Sequence, residues 1–400
     1  DAQAAQVKVT IFGVGNVALP ATRWERTYTI APFTVISTGT TPANVFTAGA
    51  GAVGPMPKAG AIDSRLYSIP PPIGTGGSGI FQKKGILITS DVPIVAYAHI
   101  YASTSSGATM LLPTEAWGYS YVSLNSKQDY ASNCYNWMYV IAKEDNTVVE
   151  ITPSVLTRAQ DKTGLAPGLT KTVILNKGEI YQVIGANDGA DANGNGGGAS
   201  TGKELTGTKV RSVAPGVGAC KPIAVFAGSS RTSNPASCGS GGGDNDNQQL
   251  FPQQAWGKRY LTTPFSGSQS PSSFGTSTYK IAVADPTTIV KRNGVVITGL
   301  QNGNFYKYES LTPDYIESDK PIMVCQFMTG GGCMPGGLGD PAMAVISPIE
   351  QAIKRTVFYR NSVDNITMGY LSLVVPTGGL PSLRIDGTNV FNYTAPHPNK

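Results

Sequence analysis

The stretch Asp244–Pro264, DNDNQQLFPQQAWGKRYLTTP, contains a turn motif that occurs three times in the chain. Leu112–Val122, LPTEAWGYSYV, has Pro, Ala, Trp and Gly at the same relative positions and a Tyr four residues after the Trp. A third copy, Ser347–Tyr359, SPIEQAIKRTVFY, has one extra residue between Pro and Ala. Pro is favoured at the start of a helical turn because its missing N–H would have no partner there. Each copy is therefore predicted to form a Pro-started turn, an apolar anchor and a return into a strand, the anchors being Trp117, Trp256 and Ile353.

Apolar runs follow three prolines, Pro93, Pro222 and Pro321, in similar contexts. The sequence SDVPI around the first matches SDKPI around the third and, in part, CKPI around the second. The runs that follow are VAYAHIYA, AVFAGSS and MVCQFMTG. A short apolar run bounded by turn signals suits a strand that is buried on both faces. We therefore predict a central strand after each proline.

Two further landmarks recur between these strands. Tyr139 and Tyr279 each open a strand-like stretch and have an aspartate six residues later, Asp145 and Asp285. Tyr370 opens a similar stretch in which Pro takes the Asp position. The sequences LNKGEIY and LQNGNFY share the pattern L-x-x-G-x-x-Y, in which the Gly permits the positive φ of a hairpin turn.

The landmarks follow one another in a cyclic order: proline strand, turn motif, tyrosine strand, β-branched strand and hairpin. The chain begins and ends partway through the cycle, and its two partial ends complement each other. A closed ring needs such ends, because closure removes exposed sheet edges. We predict an all-β fold of about three pseudo-repeats of antiparallel strands. A closed propeller-like assembly is favoured, with tandem β-sandwich modules as the alternative.

The predicted division of the chain follows these repeats. Residues 1–84 are N-terminal strands and loops that lead into the first repeat, 85–390 are the repeated β region, and 391–400 are a tail or a linker to a longer chain. Helix content is expected to be low, because no long stretch has an apolar period of about 3.6 residues.

Composition narrows the class of protein. Charged residues make up 14% of the 400 residues, against roughly 25% in ordinary soluble chains, whereas Gly (48) and Pro (28) are abundant. This indicates a secreted or cell-surface β protein with long polar loops. The net charge of +5 is not gathered into a Lys/Arg cluster, so nucleic acid is not a predicted partner. No run approaches the ~20 apolar residues of a transmembrane segment.

Four of the five cysteines lie in related places. Cys220 precedes one proline strand and Cys238 lies in the loop after it, whereas Cys325 lies within the equivalent strand and Cys333 in its following loop. We interpret them as candidate disulfides, 220–238 and 325–333, formed in an oxidising compartment. The alternative is a set of independent buried thiols. Cys134 has no assigned partner.

The repeated blocks resemble a known family. SDKPI with its apolar strand, the DNQQLFP–AWG–Y block and GDPAMAVISPIEQ at 339–351 resemble the N-terminal domain of the IgGFc-binding protein. The resemblance extends from about Gly85 to about Asn389. It implies a secreted or surface-anchored adhesive domain, often one part of a longer chain, and it brings no catalytic residues.

One polar loop has the pattern of a cation site. Asp191, Asn193 and Asn195, followed by Gly196, match the first half of a D-x-N-x-N-G calcium loop. Oxygen ligands at alternate positions wrap a hard cation, and the Gly permits the sharp turn. The twelfth position is Gly202 instead of the usual Glu. The three side chains are a candidate calcium site, against the alternative of a plain Asn/Gly/Asp loop, and no other cofactor is predicted.

Catalytic patterns are incomplete. Residues 198–202 match G-x-S-x-G, but a nucleophile elbow needs a strand before it, and the preceding sequence is NGNGGG. His99, in the run AYAHIYA, is interpreted as a core residue. Glycoside hydrolysis needs two convergent carboxylates. The recurring Asp145 and Asp285 instead sit at strand ends, where Asp commonly makes turns.

The sequence therefore favours an extracellular binding or adhesion domain without catalytic activity, whose partner is a protein or a glycan. The loops 37–80, 186–204, 236–247 and 266–276 are expected to supply its variable surface, because binding residues commonly lie on loops held by a rigid scaffold. The alternatives are a structural subunit of a surface filament or layer, which would contact other subunits, and a secreted glycan hydrolase.

Overall fold

The structure of the protein is a computed structural model. It describes residues 3–14, 22–36, 79–81, 85–102, 105–130, 135–158, 164–194, 196–197, 201–216, 218–234, 238–239, 242–266, 274–302, 304–337, 339–358 and 370–390. Strands account for 46% and helices for 8%, so the all-β prediction is confirmed. Two compact units are present. Unit 1 comprises Asp1–Thr232 and Asp244–Gln254, and unit 2 comprises Ser233–Gly243 and Ala255–Lys400.

The strands of unit 1 are numbered in chain order. They are β1 Ala5–Val14, β2 Thr22–Ile30, β3 Gly79–Phe81, β4 Ile86–Ser90, β5 Tyr97–Ala102, β6 Ser105–Met110, β7 Ser120–Val122, β8 Asn136–Ala142, β9 Thr147–Thr152, β10 Lys171–Leu175, β11 Ile180–Ile184, β12 Lys209–Val213, β13 Ile223–Thr232 and β14 Asp244–Gln249. Their sheets have the orders β2-β1-β4, β10-β9-β12-β7, β14-β13-β8-β11-β3 and β5-β6.

Unit 2 holds the remaining strands. They are β15 Gly257–Thr262, β16 Ser277–Val283, β17 Val290–Arg292, β18 Val295–Val296, β19 Phe305–Ser310, β20 Asp314–Met328, β21 Ala342–Ile346, β22 Arg384–Ile385 and β23 Thr388–Asn389. One sheet has the order β18-β17-β20-β16-β19, with β15 and β21 also paired to β20. The strands β22 and β23 form a separate hairpin.

The pairings of β15–β21 follow the same scheme as those of β7–β14. In unit 1, β12 pairs with β7 and β9, whereas β13 pairs with β8 and β14. In unit 2, the first half of β20 pairs with β15 and β17, and its second half pairs with β16 and β21. The single strand β20 therefore takes the place of both β12 and β13. In the described ranges the strands form separate sheets, and the favoured closed propeller is not found.

The core of unit 2 is built from both halves of this arrangement. Its cluster of buried side chains includes Tyr260 of β15, Val290 of β17 and Ile316 in the first half of β20. It also includes Ile281 of β16 and Val324 in the second half of β20. Because successive side chains of a strand point to opposite faces, the alternate residues Tyr279, Ile281 and Val283 of β16 all contribute to this cluster.

Tyr139 and Tyr279 are not equivalent, although their sequence contexts match. The tyrosine that closes each L-x-x-G-x-x-Y motif lies opposite Val140 in β8 and opposite Ile281 in β16. Val140 therefore corresponds to Ile281, and Tyr139 corresponds to Lys280. Because a shift of one residue moves a side chain to the other face of the sheet, the two tyrosines face opposite sides.

Strand β14 corrects one sequence expectation. Asp244–Asn247 was expected to be part of a polar loop, but it begins β14 and pairs with β13. All four side chains are buried, with Asp246 only 1% exposed. A buried carboxylate is tolerated when hydrogen-bond donors surround it, as the Ser229 N–H and the Ser126 hydroxyl do at Asp246.

Candidate functional site

The turn motif forms a short 3₁₀ helix at all three copies: Thr114–Ala116, Gln253–Ala255 and Ile349–Gln351. Trp256 is 7% exposed, and Trp117 is half-buried with its indole Nε1 donating to the Leu112 carbonyl at 3.2 Å. By contrast, Ile353 is 71% exposed. The first two copies thus carry packed side chains after the turn, and the third carries an open one.

The tyrosine of the motif locks the turn to the neighbouring proline strand. The hydroxyl of Tyr121 accepts the Gly118 N–H at 2.9 Å and donates to the Ile223 carbonyl at 2.6 Å. Tyr260 makes the same two bonds, from the Gly257 N–H at 3.1 Å and to a strand carbonyl of β20 at 2.5 Å. Burial raises the pKa of both phenols, so they stay neutral donors.

The glycine of the motif allows successive turns to approach each other. A Cβ at Gly118 would collide with Pro252 and Gln254 of the second turn. A Cβ at Gly257 would collide with Pro348 of the third turn. The motif therefore requires Gly at this point for close approach of two backbones, which explains one conspicuous feature of the sequence repeat.

A buried polar cluster surrounds Asp246 in unit 1. Its carboxylate accepts the Ser229 N–H at 2.6 Å and the hydroxyl of Ser126. Nearby, the Asn125 amide donates to the carbonyls of Trp137 and Gly228 at 2.9 and 3.0 Å. The cluster ties the segment after β7 to the sheet that contains β8, β13 and β14. Sequence reasoning missed it, because a run of Asp and Asn has the composition of a loop.

Replacing Asp246 with Ala is expected to lower the free energy of unfolding by about 3 kcal/mol, because it leaves two buried donors without an acceptor. Urea unfolding of the full chain measures the loss. The exposed Asp340 provides the matched control, and Asp340→Ala is expected to change stability by less than about 0.5 kcal/mol. Equal effects of the two substitutions would show that the cluster contributes little.

Long connections meet at one end of unit 1. They follow β7, β9 and β11, and they precede β8, β10 and β12. Hydrogen bonds join them: the Gly202 N–H donates to the Gln128 carbonyl at 3.3 Å, and the Gly164 N–H donates to the Asn193 carbonyl at 2.6 Å. The described parts of these loops, 123–130, 153–158, 164–170, 185–194 and 201–208, together with Arg231, are called the loop surface below.

Two arginine–tyrosine pairs lie at the loop surface. The guanidinium of Arg158 lies 4.7 Å from the ring centroid of Tyr135 and donates to its hydroxyl at 2.8 Å. The guanidinium of Arg231 lies 5.5 Å from the ring centroid of Tyr130, whose side chain is 47% exposed. Stacking on an aromatic face restricts the positions that an arginine side chain can take. The two pairs therefore place ordered basic and aromatic side chains at the loop surface.

Comparison with known proteins gives one match. The family described as IgGFc binding protein matches residues 107–399, which is most of the chain. The chain belongs to the IgGFc binding protein family. No curated protein matches. No solved structure matches either.

In this family member the disulfide pairing differs from the prediction. Cys238 is bonded to Cys333, whereas Cys220 is exposed with a free thiol and Cys325 is buried inside β20, outside this disulfide. The pairings 220–238 and 325–333 are therefore corrected. The physical reason is that the segment Ser233–Gly243, which carries Cys238, packs with unit 2 instead of staying with the strand it follows. Cys134 lies outside the described residues.

The candidate calcium residues lie on the loop surface. Asp191 and Asn193 are exposed, and the Asp191 carboxylate accepts the Asn193 N–H at 2.8 Å in a local turn. Asn195 lies outside the described residues. In the described ranges, no group of three or more His, Cys, Asp or Glu side chains is placed to hold a metal ion. Calcium binding by the three oxygen-bearing side chains stays a prediction.

The recurring aspartates hold turns. Asp145 accepts the Lys177 N–H at 2.9 Å. Asp285 accepts the N–H of Thr287 at 2.8 Å and pairs with the Lys320 ammonium at 2.5 Å. The Lys320 ammonium lowers the pKa of Asp285 to about 2. A carboxyl group whose pKa is lower in the folded than in the unfolded chain stabilises the fold at pH values above its ordinary pKa of about 3.9. The contribution of Asp285 is therefore lost only as the pH falls from about 3.9 towards 2.

Two further observations concern His99 and the lengths of the helices. His99 is exposed on β5, so its interpretation as a core residue is wrong. Among the residues that the structure describes, no helix is long and apolar enough to cross a bilayer.

Proposed function

We propose that the chain is a non-enzymatic, extracellular binding domain that takes a protein ligand on the loop surface of unit 1. The observation that carries the proposal is the pair of stacked arginines, Arg158 on the loop after β9 and Arg231 near the end of β13, beside loops that are hydrogen-bonded to one another. Membership of a family named for binding an immunoglobulin fragment supports a protein as the ligand. The predicted repeat region 85–390 contains the whole of this surface.

Several properties suit the loop surface to a protein ligand. Tyrosine and arginine are enriched where proteins bind one another, because each combines a large contact area with directed hydrogen bonds. The salt bridge of Lys203 with Asp188 at 3.0 Å, which lowers the pKa of the Asp188 carboxyl, fixes the base of the long loop. Contacts of this kind reduce the conformational freedom that the described parts of the loop lose on binding, which favours affinity.

The experiment measures binding of the 400-residue chain to an immunoglobulin Fc fragment by interferometry, with a mammalian glycan array as the second probe. We expect saturable binding to the Fc protein. The double variant Tyr130→Ala, Arg231→Ala is expected to bind about tenfold more weakly, which corresponds to roughly 1.4 kcal/mol.

The matched control is Arg211→Ala, because Arg211 is an exposed arginine that pairs with Glu150 on the sheet, away from the loop surface. It is expected to bind as the parent does. Binding to glycans alone would contradict the proposed ligand class. Equal loss in the control and the double variant would contradict the loop surface as the contact site.

A further inference from the structure

One segment belongs to unit 2 although both of its ends continue into strands of unit 1. Ser233–Gly243 follows β13 and precedes β14, and it is called the connecting segment below. Its sequence, SNPASCGSGGG, is rich in Gly and Ser, and such sequences are flexible unless other contacts hold them. The contacts that hold the connecting segment therefore also affect the ends of β13 and β14.

A hydrogen bond and a disulfide hold the connecting segment to the end of β20 and to the loop that follows it. The side-chain amide of Asn234 donates to the Met328 carbonyl at 3.0 Å. Cys238 is bonded to Cys333, which ends the 3₁₀ helix Gly331–Cys333. Asn234 is buried, whereas Cys238 is exposed and Cys333 is half-buried. The disulfide is therefore within reach of a reductant in solution.

Arg231 of the loop surface lies two residues before the connecting segment. The register between β13 and β14 shifts between Ser229 and Thr232, where two residues of β13 lie opposite one residue of β14 in a β-bulge. A bulge turns a side chain away from the direction that a regular strand would give it. The pair Thr232–Asp244 follows the bulge and is the last pair before the connecting segment. The direction of the Arg231 side chain therefore depends on how firmly the hairpin is closed at that pair.

The two residues of the bulge contact both tyrosines of the loop surface. The Ser230 N–H donates to the Tyr135 carbonyl at 2.9 Å, and the guanidinium of Arg231 lies 5.5 Å from the ring centroid of Tyr130. A hairpin whose loop is released opens from the loop end, because terminal pairs have the lowest free energy of opening. Opening at the last pair before the connecting segment lets the bulge relax and lets Arg231 leave the Tyr130 ring.

We propose that the Cys238–Cys333 disulfide regulates ligand binding at the loop surface. In the oxidised chain the disulfide holds the connecting segment, which keeps the hairpin closed and Arg231 stacked on Tyr130. Reduction releases the segment and lowers the fraction of chains in which Arg231 has this position, so the ligand binds more weakly. This regulation rests on the proposed function, because the contact that it controls is the one proposed to bind the ligand.

The redox step is a thiol–disulfide exchange with a dithiol reductant. One thiolate of the reductant attacks a sulfur of the disulfide to form a mixed disulfide, and the second thiol of the reductant then displaces the remaining protein sulfur. Two electrons and two protons pass to the protein, so Cys238 and Cys333 become thiols and the reductant becomes a cyclic disulfide. In an oxidising compartment the bond stays formed, so the chain is expected to bind there and to bind more weakly where dithiols are abundant.

The first measurement needs no ligand. Hydrogen exchange of the 400-residue chain is followed by mass spectrometry before and after reduction with dithiothreitol. We expect the amides of 229–232 and 244–247 to exchange at least about tenfold faster in the reduced chain, because the hairpin opens more often. The amides of β9 and β10 are the control within unit 1 and are expected to exchange at an unchanged rate. Unchanged exchange at 229–232, or an equal increase in β9 and β10, would overturn the proposal.

The second measurement is binding of the immunoglobulin Fc fragment, made without reductant so that the probe itself is not reduced. The double variant Cys238→Ser, Cys333→Ser is expected to bind about fivefold more weakly than the parent, as if only about one chain in five held Arg231 in place. Cys220→Ser, at the exposed free thiol, is the matched control and is expected to bind as the parent does. In the Tyr130→Ala, Arg231→Ala background, removal of the disulfide is expected to cause no further loss.

Together the two measurements separate the regulation from the proposed function. A parent chain that binds no Fc would contradict the proposed function, whereas the exchange rates would still decide whether the disulfide controls the hairpin. Binding that is equally strong with and without the disulfide would overturn the regulation even if exchange becomes faster. An equal loss in the Tyr130→Ala, Arg231→Ala background would also overturn it, because the effect would then not depend on Arg231.

Discussion

Replacing Cys333 with Ser is expected to lower the free energy of unfolding of unit 2 by about 4 kcal/mol. The disulfide to Cys238 closes a loop with a sequence separation of 95 residues. In the chain-entropy description, a loop of about 100 residues constrains the unfolded chain by roughly 4.7 kcal/mol, and measured losses for removed disulfides are typically about 2–5 kcal/mol. Urea unfolding of the oxidised full chain, with and without the substitution, gives the difference.

The free cysteine at 220 supplies the control for this experiment. Cys220 is exposed and unbonded, so Cys220→Ser is expected to change stability by less than about 0.5 kcal/mol. Peptide mapping without reductant is expected to recover the 238–333 link. Recovery of 220–238 would contradict the structure and restore the pairing inferred from the sequence alone.

Replacing Trp256 with Ala is expected to cost about 3–5 kcal/mol of unfolding free energy, because the indole is 7% exposed and its removal leaves a cavity. The same truncation at the third copy, Ile353→Ala, is expected to cost less than about 0.5 kcal/mol in the single chain, since Ile353 is 71% exposed. Thermal and urea unfolding at low protein concentration measure both variants.

Comparison of these two truncations tests whether equivalent positions of the sequence motif contribute equally to stability. A large loss at Ile353 at low concentration would mean that the third turn is packed in the single chain, contrary to the exposure described here.

Local signals made much of the fold predictable. Pro113, Pro252 and Pro348 start the three 3₁₀ turns, because proline favours the first position of a helical turn in any context. The prolines at 222 and 321 likewise mark strands that are buried on both faces. The same prediction at Pro93 is wrong, because β5 after it lies in a two-stranded sheet with Tyr97 and His99 exposed. Such features depend on a few neighbouring residues, so the sequence alone carries them.

Other features depend on residues far apart in the chain. The sequence DNDNQQ forms a buried strand because Ser126 and Ser229 supply donors to Asp246, and nothing nearby in sequence indicates this. The Cys238–Cys333 bond depends on a segment that packs with the next unit. Tyr139 and Tyr279 have the same spacing to an aspartate, but their positions in the strand pairing differ by one residue. Because a shift of one residue turns a side chain to the other face of the sheet, the sequence spacing could not predict which face each tyrosine occupies.

The loop surface could be predicted only in part from the sequence. Loop 186–204 was predicted from its composition, and its residues 186–194 and 201–204 belong to that surface. The stacking of Arg231 on Tyr130 was not predicted, because Arg231 belongs to β13 and reaches the tyrosine through the antiparallel arrangement of the strands. Composition indicates where loops occur, whereas strand pairing decides which side chains meet at their base.

Because β20 is continuous, unit 2 is expected to differ from unit 1 in its sensitivity to proteases. In unit 1, the residues between β12 and β13 include Gly216 with a φ of 68° and the exposed Cys220. This connection is therefore the expected site of limited proteolysis in unit 1. In unit 2 the corresponding position lies inside the continuous strand β20, whose two halves are each paired with two other strands. Degradation of unit 2 therefore has to begin elsewhere or wait for the whole unit to unfold.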